Sequence, residues 1–187
     1  MKPYDELPHS VEHDGKTYEL DMSYPSFFIA ADILQDEHLT NVMRVAGALD
    51  VLVTEPFPID VRLLKKIFDL VKSDKPSTEK IVMDIEQDWE YICGAFQQAY
   101  GIDLYSEKKM HIIRFLSLLR SVPKSTKLAE IISIRSMDIP EPNKYNAKEI
   151  AEITKLKTYY RLKGNEKSIN ESWGKLFEIL EMRAKHG

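Results

Sequence analysis

The chain has one cysteine, seven glycines and no apolar run of membrane-spanning length, and each shortage removes a class of protein. Cys93 has no second cysteine to pair with, which points to a reducing compartment. Its neighbours are apolar, which disfavours the thiolate, so it reads as a small hydrophobe rather than a nucleophile. No stretch approaches the roughly 18 uninterrupted apolar residues of a membrane span, and MKPYDELPHSVEHDGK lacks the apolar core of a signal peptide. The glycines form no Gly-x-Gly-x-x-Gly or Walker loop to cradle phosphates and no Gly-x-Ser-x-Gly elbow. His9, His13, His38, His111 and His186 are scattered, and none has a His, Cys or carboxylate at zinc-site spacing. The expectation is therefore a protein that is not an enzyme, with no catalytic residue, no cofactor and no metal.

What is present is an ordinary globular composition, 43% hydrophobic and 30% charged over 187 residues. That length suffices for a core without disulfides or metals. The net charge of −4 is unevenly spread, since residues 141–187 carry ten Lys or Arg against seven Glu. A solvated helix face accounts for that modest excess better than an electrostatic binding site does.

Taken in order, Val11 to His13 and Lys16 to Leu20 flank Asp14-Gly15, a pair suited to a two-residue type I′ turn. Two strands alone are marginal, so this hairpin is expected to lean on helices or on another chain. Pro25 interrupts the chain, and helical periodicity starts at Ser26. Residues 37–53 follow with Leu39, Val42, Met43, Ala46, Leu49 and Val53 on one face, until Pro56 and Pro58 stop the pattern. Val61, Leu64, Ile67, Phe68 and Val71 mark the next helix, and SDKPS at 73–77 is a polar connector.

Ile85, Trp89, Ile92, Phe96 and Ala99 then share a face, with Asp84 as the candidate N-cap and Gly101 as the left-handed stop. Ser106 is the candidate cap for a helix over 107–121 that is apolar nearly all round, its polar stripe reduced to His111, Arg114, Ser117 or Ser121. Such a helix belongs at the centre of a fold. Ser125 can cap a shorter helix that ends before Pro140. The run AKEIAEITKLKTYYRLKG makes another, with Ile150, Ile153 and Leu156 or Lys157 on one face and Gly164 as its stop. From Ser168, Ile169, Trp173, Leu176, Phe177 and Leu180 form a stripe that needs a partner. The predicted fold class is all-α, a compact multi-helix domain with a small N-terminal β-hairpin. Its expected parts are an extension over 1–25, a helical core over 26–163 and an amphipathic helix over 164–187.

Asp103, His111 and Arg114 are the polar residues within reach of one another, and in the absence of a nucleophile or ligand set they read as a structural polar network. The cations Lys148, Lys155, Lys157, Arg161, Lys163 and Lys167, interleaved with Tyr159 and Tyr160, offer an alternative function, a nucleic-acid-binding regulator that uses the basic helix around Lys148–Lys163. Nucleic acid is the weaker expectation. Glu149 and Glu152 in the first turn and cations toward the end are what the helix dipole favours in any helix.

Four short segments carry a resemblance. Tyr91-Ile92-Cys93-Gly94-Ala95-Phe96-Gln97-Gln98-Ala99-Tyr100-Gly101-Ile102-Asp103-Leu104 precedes Met110-His111-Ile112-Ile113-Arg114-Phe115, and Arg135-Ser136-Met137-Asp138-Ile139 follows. With Tyr160-Arg161-Leu162, the span from about 80 to 162 resembles the gene-product-fifteen family of long-tailed phages and prophages of Gram-positive bacteria. The resemblance implies a tail-assembly protein that acts in the host cytoplasm as a chaperone or adaptor. Its implied partners are phage tail proteins, the tape-measure protein first, with self-association as a further option and no membrane. The stripe from Ile169 to Leu180 is the candidate partner-binding surface.

Overall fold

A computed structural model describes residues 6–71 and 83–163. Its elements are β1 (Ser10–His13), β2 (Lys16–Glu19), α1 (Tyr24–Gln35), α2 (Asn41–Leu52), α3 (Val61–Asp69), α4 (Trp89–Tyr100), α5 (Ile112–Arg120), α6 (Lys127–Ser136) and α7 (Ala147–Tyr159). The fold is mostly helical with one two-stranded antiparallel hairpin, as the periodicity predicts. The described residues group into two compact units, 6–71 with 108–117 and 83–107 with 118–163, so that the division falls inside α5.

In the first unit the hairpin turns at Asp14 and Gly15, both at positive φ (49° and 77°), the conformation the Asp-Gly pair favours. Val11, His13 and Tyr18 point inward while Glu12 and Thr17 face solvent. The hairpin leans on its own unit. Leu20 bridges Val53, and the Lys66 ammonium on α3 donates to the Glu12 carbonyl at 2.9 Å.

Helix α1 starts earlier than Pro25 suggests. Proline in the first turn lacks only an N–H that has no intrahelical acceptor, so it opens the helix rather than interrupting it. Helix α2 is shifted too, beginning at Asn41 behind the Thr40 cap. Its buried stripe is Val45, Ala48, Leu49 and Leu52, and it leaves Val42 and Met43 exposed. The helices α1 and α2 pack so closely that a Cβ at Gly47 would stand 3.1 Å from the Ile33 side chain. Phe27, Leu34, Leu49, Leu63, Leu64 and Ile67 are fully buried, and the Phe27 ring meets Phe68 edge-on at 5.5 Å.

The largest departure is at the start of α5, which begins at Ile112 and not near 107. Met110 and His111 stay outside the helix because the backbone here pairs with residues 22–24, with Ser23 bridging His111. Tyr24 N–H donates to the Met110 carbonyl at 2.9 Å and Ile112 N–H to the Met22 carbonyl at 2.7 Å. Ser106 caps no helix. It donates to Asp103 Oδ2 at 2.9 Å in a local turn. Within α5 the expected polar stripe is seen in the exposure of Arg114, Ser117 and the following Ser121, and Phe115 stacks on Tyr24 at 4.9 Å.

In the second unit Asp84 caps a turn over 85–88 by accepting from Gln87 N–H at 2.7 Å, and α4 begins only at Trp89. Gly101 closes α4 at φ 66°, and Ile102 N–H folds back onto the Phe96 carbonyl at 3.4 Å. Thr126, not Ser125, caps α6. Helix α7 packs on α6 yet buries none of its residues completely.

Candidate functional site

His111 is buried and sits at the head of α5, where its Nδ1 accepts from Ile113 N–H at 3.1 Å. With that lone pair engaged, Nε2 carries the proton and donates to the Pro8 carbonyl at 2.9 Å. The ring is therefore a neutral cap that ties residues 8–9 to α5, with the His9 ring edge-on at 5.2 Å. Burial pushes its pKa below the ordinary value, against the opposing pull of the Pro8 carbonyl. Arg114 is exposed, and no hydrogen bond joins it to His111 among the described residues. Asp103, in the other unit, accepts from Tyr105 N–H at 2.9 Å and from the Ser106 hydroxyl, and so shapes the loop after α4. The stripe of Ile169, Trp173, Leu176, Phe177 and Leu180 lies outside the described residues, as does Gly164.

A cluster in the first unit joins residues far apart in sequence. The Nε2 of buried His13 lies 3.1 Å from Asp60 Oδ2 and 3.4 Å from Asp14 Oδ2. These three ligand-type atoms lie within 4.8 Å of one another. The Arg62 guanidinium, however, already holds the same oxygens, Asp60 at 2.6 Å and Asp14 at 3.3 Å. Arg62 is the main reason the Asp60 pKa falls to about 2. Asp60 also caps α3 through Arg62 N–H at 2.8 Å, so the cluster acts as an ion-pair clasp between hairpin and helix. With His13 and Asp60 47 residues apart, ligand-spacing rules had no means of finding it.

The second unit holds the most developed polar construction. Asp88 is fully buried at the start of α4 and takes a bidentate pair from Arg135, Nη1 to Oδ2 at 2.6 Å and Nη2 to Oδ1 at 2.8 Å. The Arg135 Nε then donates to the Tyr160 carbonyl at 2.6 Å. Lys157 on α7 donates to the Arg135 carbonyl at 2.7 Å and also reaches the carbonyls of Ile134 and Met137, which α6 leaves open at its C-terminus. The Gln87 side chain spans the Arg161 carbonyl and Lys163 N–H at 3.0 and 2.8 Å. Lys157, one of the cations expected on a basic face, is thus committed to structure. Sequence reasoning missed both Asp88 and the role of Arg135, although Arg135 opens one of the motifs that carried the resemblance.

Between α6 and α7 lies a cleft of about 260 Å³ lined by Ile134, Met137, Ile153 and Leu156, with Glu149 and Glu152 at its edge. On α4, Cys93 is half-buried and meets Tyr105, whose phenol it pushes above the ordinary pKa.

A family model described as Bacteriophage Gp15 protein matches residues 4–162. The chain belongs to that family. The match takes in the hairpin and α1 to α3 as well as the span from 80 onward, so both units of this Gp15-family chain are family features. No curated protein and no solved structure matches the chain significantly.

Proposed function

We propose that this protein is a non-enzymatic tail-assembly factor, a chaperone or adaptor that holds the tape-measure protein or another tail component in the host cytoplasm. Family membership supports a phage function. The observation that carries the finer reading is the apolar surface α7 leaves open on α6. Met137 at the end of α6 and Leu156 on α7, both lining the cleft between the two helices, are 42% and 38% exposed, and none of α7 is fully buried. An amphipathic face open to solvent suits a helical client in the helix-in-groove mode. The nucleic-acid alternative is weakened because Lys157 is held by α6 carbonyls and Glu149 and Glu152 share its helix.

Co-expression with the tape-measure product of the same phage, followed by co-purification and light scattering, tests this. The expected result is a soluble complex of defined mass. A chain that stays monomeric and neither binds nor solubilises that product rules the reading out.

A further inference from the structure

We infer that the α6–α7 cleft is a docking site for an amphipathic helix of another protein that carries Lys or Arg beside its apolar stripe. The inference rests on the chaperone reading and adds the surface and the chemistry of the client. The floor of the cleft is wholly aliphatic or thioether: Ile134, Met137, Ile153 and Leu156. Its volume, about 260 Å³, is below the roughly 300 to 1,000 Å³ of small-molecule pockets and suits a few side chains projecting from one helix face.

The choice of occupant comes from charge. Glu149 and Glu152 stand one turn apart on α7 at the edge of the cleft, and neither has an ion pair or side-chain hydrogen bond among the described residues. Lys148 and Lys155 stand within about a turn of Glu152 on the same helix, exposed and making no ion pair with either carboxylate among the described residues, and Lys157 is turned away onto the α6 carbonyls. An incoming helix therefore meets an apolar floor beside two unneutralised carboxylates. Cations flanking its apolar stripe complete both, whereas acidic flanks are repelled. The means by which α7 is held fits this use. Lys157, Arg135 and Gln87 fix the end of α7 and its exit by hydrogen bonds, so the helix keeps its place without spending its apolar face on the interior.

The full-length protein is titrated with two labelled model helices of about 20 residues that share a Leu stripe and differ only in flanks, all Lys or all Glu. Fluorescence anisotropy is expected to show the Lys-flanked helix binding about tenfold or more tightly. Glu149→Lys with Glu152→Lys is expected to invert that preference. Ile153→Glu is expected to abolish binding while far-ultraviolet circular dichroism stays unchanged. Equal binding of the two helices, or a preference that survives the charge reversal, overturns the proposal. So does a shift of Trp173 emission on Ile153→Glu in a Trp89→Phe background without added helix, which would assign the cleft to the chain's own carboxy-terminal segment. Loss of a dimer in Ile153→Glu would assign it to a second copy. If the Ile153 and Glu variants still co-purify with the tape-measure product, the chaperone reading survives and this site falls. If the unaltered protein binds neither product nor model helix, both fall.

Discussion

Helices α2 and α7 are nearly equal in length, 12 and 13 residues, and attach to their units by opposite means. Helix α2 presents Val45, Ala48, Leu49 and Leu52 to a core of Phe27, Leu34, Leu64 and Ile67, and burial of that stripe holds it. Helix α7 buries nothing completely and is fixed by directed hydrogen bonds from Lys157, Arg135 and Gln87. Burial is non-directional and consumes the apolar face, whereas polar pegs fix a position and leave that face free. One helix is therefore held by burial and the other by directed bonds that leave its apolar face partly open.

The strongest way to break this comparison is at Arg135. Arg135→Ala leaves Asp88 charged and unpaired in a fully buried site, and should destabilise the second unit by about 3 to 5 kcal/mol in urea denaturation. Replacing both partners, Asp88→Leu with Arg135→Met, should recover most of that loss, because an apolar pair of similar size needs no compensation. The double variant still lacks the bond to the Tyr160 carbonyl, so amide exchange in α7 should stay fast. If α7 is fully protected in the double variant, burial and not the peg holds it.

The matching change in the first unit is Leu49→Ala, which removes a fully buried side chain and should cost about 2 to 5 kcal/mol. Amide protection in α1 and α2 should fall together, since they share that core. A loss below about 1 kcal/mol would place Leu49 outside the cooperative core.

A smaller effect is expected at Lys157. Lys157→Met retains the stem and removes the ammonium from three α6 carbonyls, and should cost about 1 to 2 kcal/mol, discounted because the group is only half-buried. The loss should appear as faster exchange in α7 alone.

What the sequence revealed follows the same division. Periodicity located every described helix, because apolar spacing at i, i+3 and i+4 is a local property. It misplaced the starts of α1, α2 and α4 by a few residues at local caps and turns, and that of α5 where the deciding partners are tertiary. Met110 and His111 are kept out of α5 because residues 22–24 supply the hydrogen bonds of the backbone there, and no local signal encodes that pairing. The polar pegs were hidden for the same reason. Asp88 reads as an ordinary acid until Arg135, 47 residues on, is brought against it. Gly101 and the Asp14-Gly15 turn were legible because their backbone conformations are set by the residues themselves.

Acid gives the mildest test, because the first unit also has polar attachments at its edges and these titrate while its core does not. His111 is folded as a neutral ring, with its pKa pushed below the ordinary 6.5 by burial. The unfolded chain thus takes up the proton first. The stability His111 contributes is complete above about pH 6.5 and is lost as pH falls below that toward the folded value. Asp60 titrates lower down. The Arg62 guanidinium, with Arg62 N–H and His13, holds its pKa at about 2 against an ordinary 3.8, so its contribution is complete above the ordinary value and disappears as pH falls through about 2. Thermal unfolding of the first unit should therefore weaken in two steps on acidification. His111→Asn, which can still cap α5 but cannot titrate, should remove the upper step, and Asp60→Asn the lower one. Amide exchange at Ile113 should accelerate across the upper step, because protonating Nδ1 withdraws the acceptor of that N–H. If Ile113 keeps its protection through that range, the His111 cap is not what holds the head of α5, and burial of Ile112 and Phe115 must do so alone.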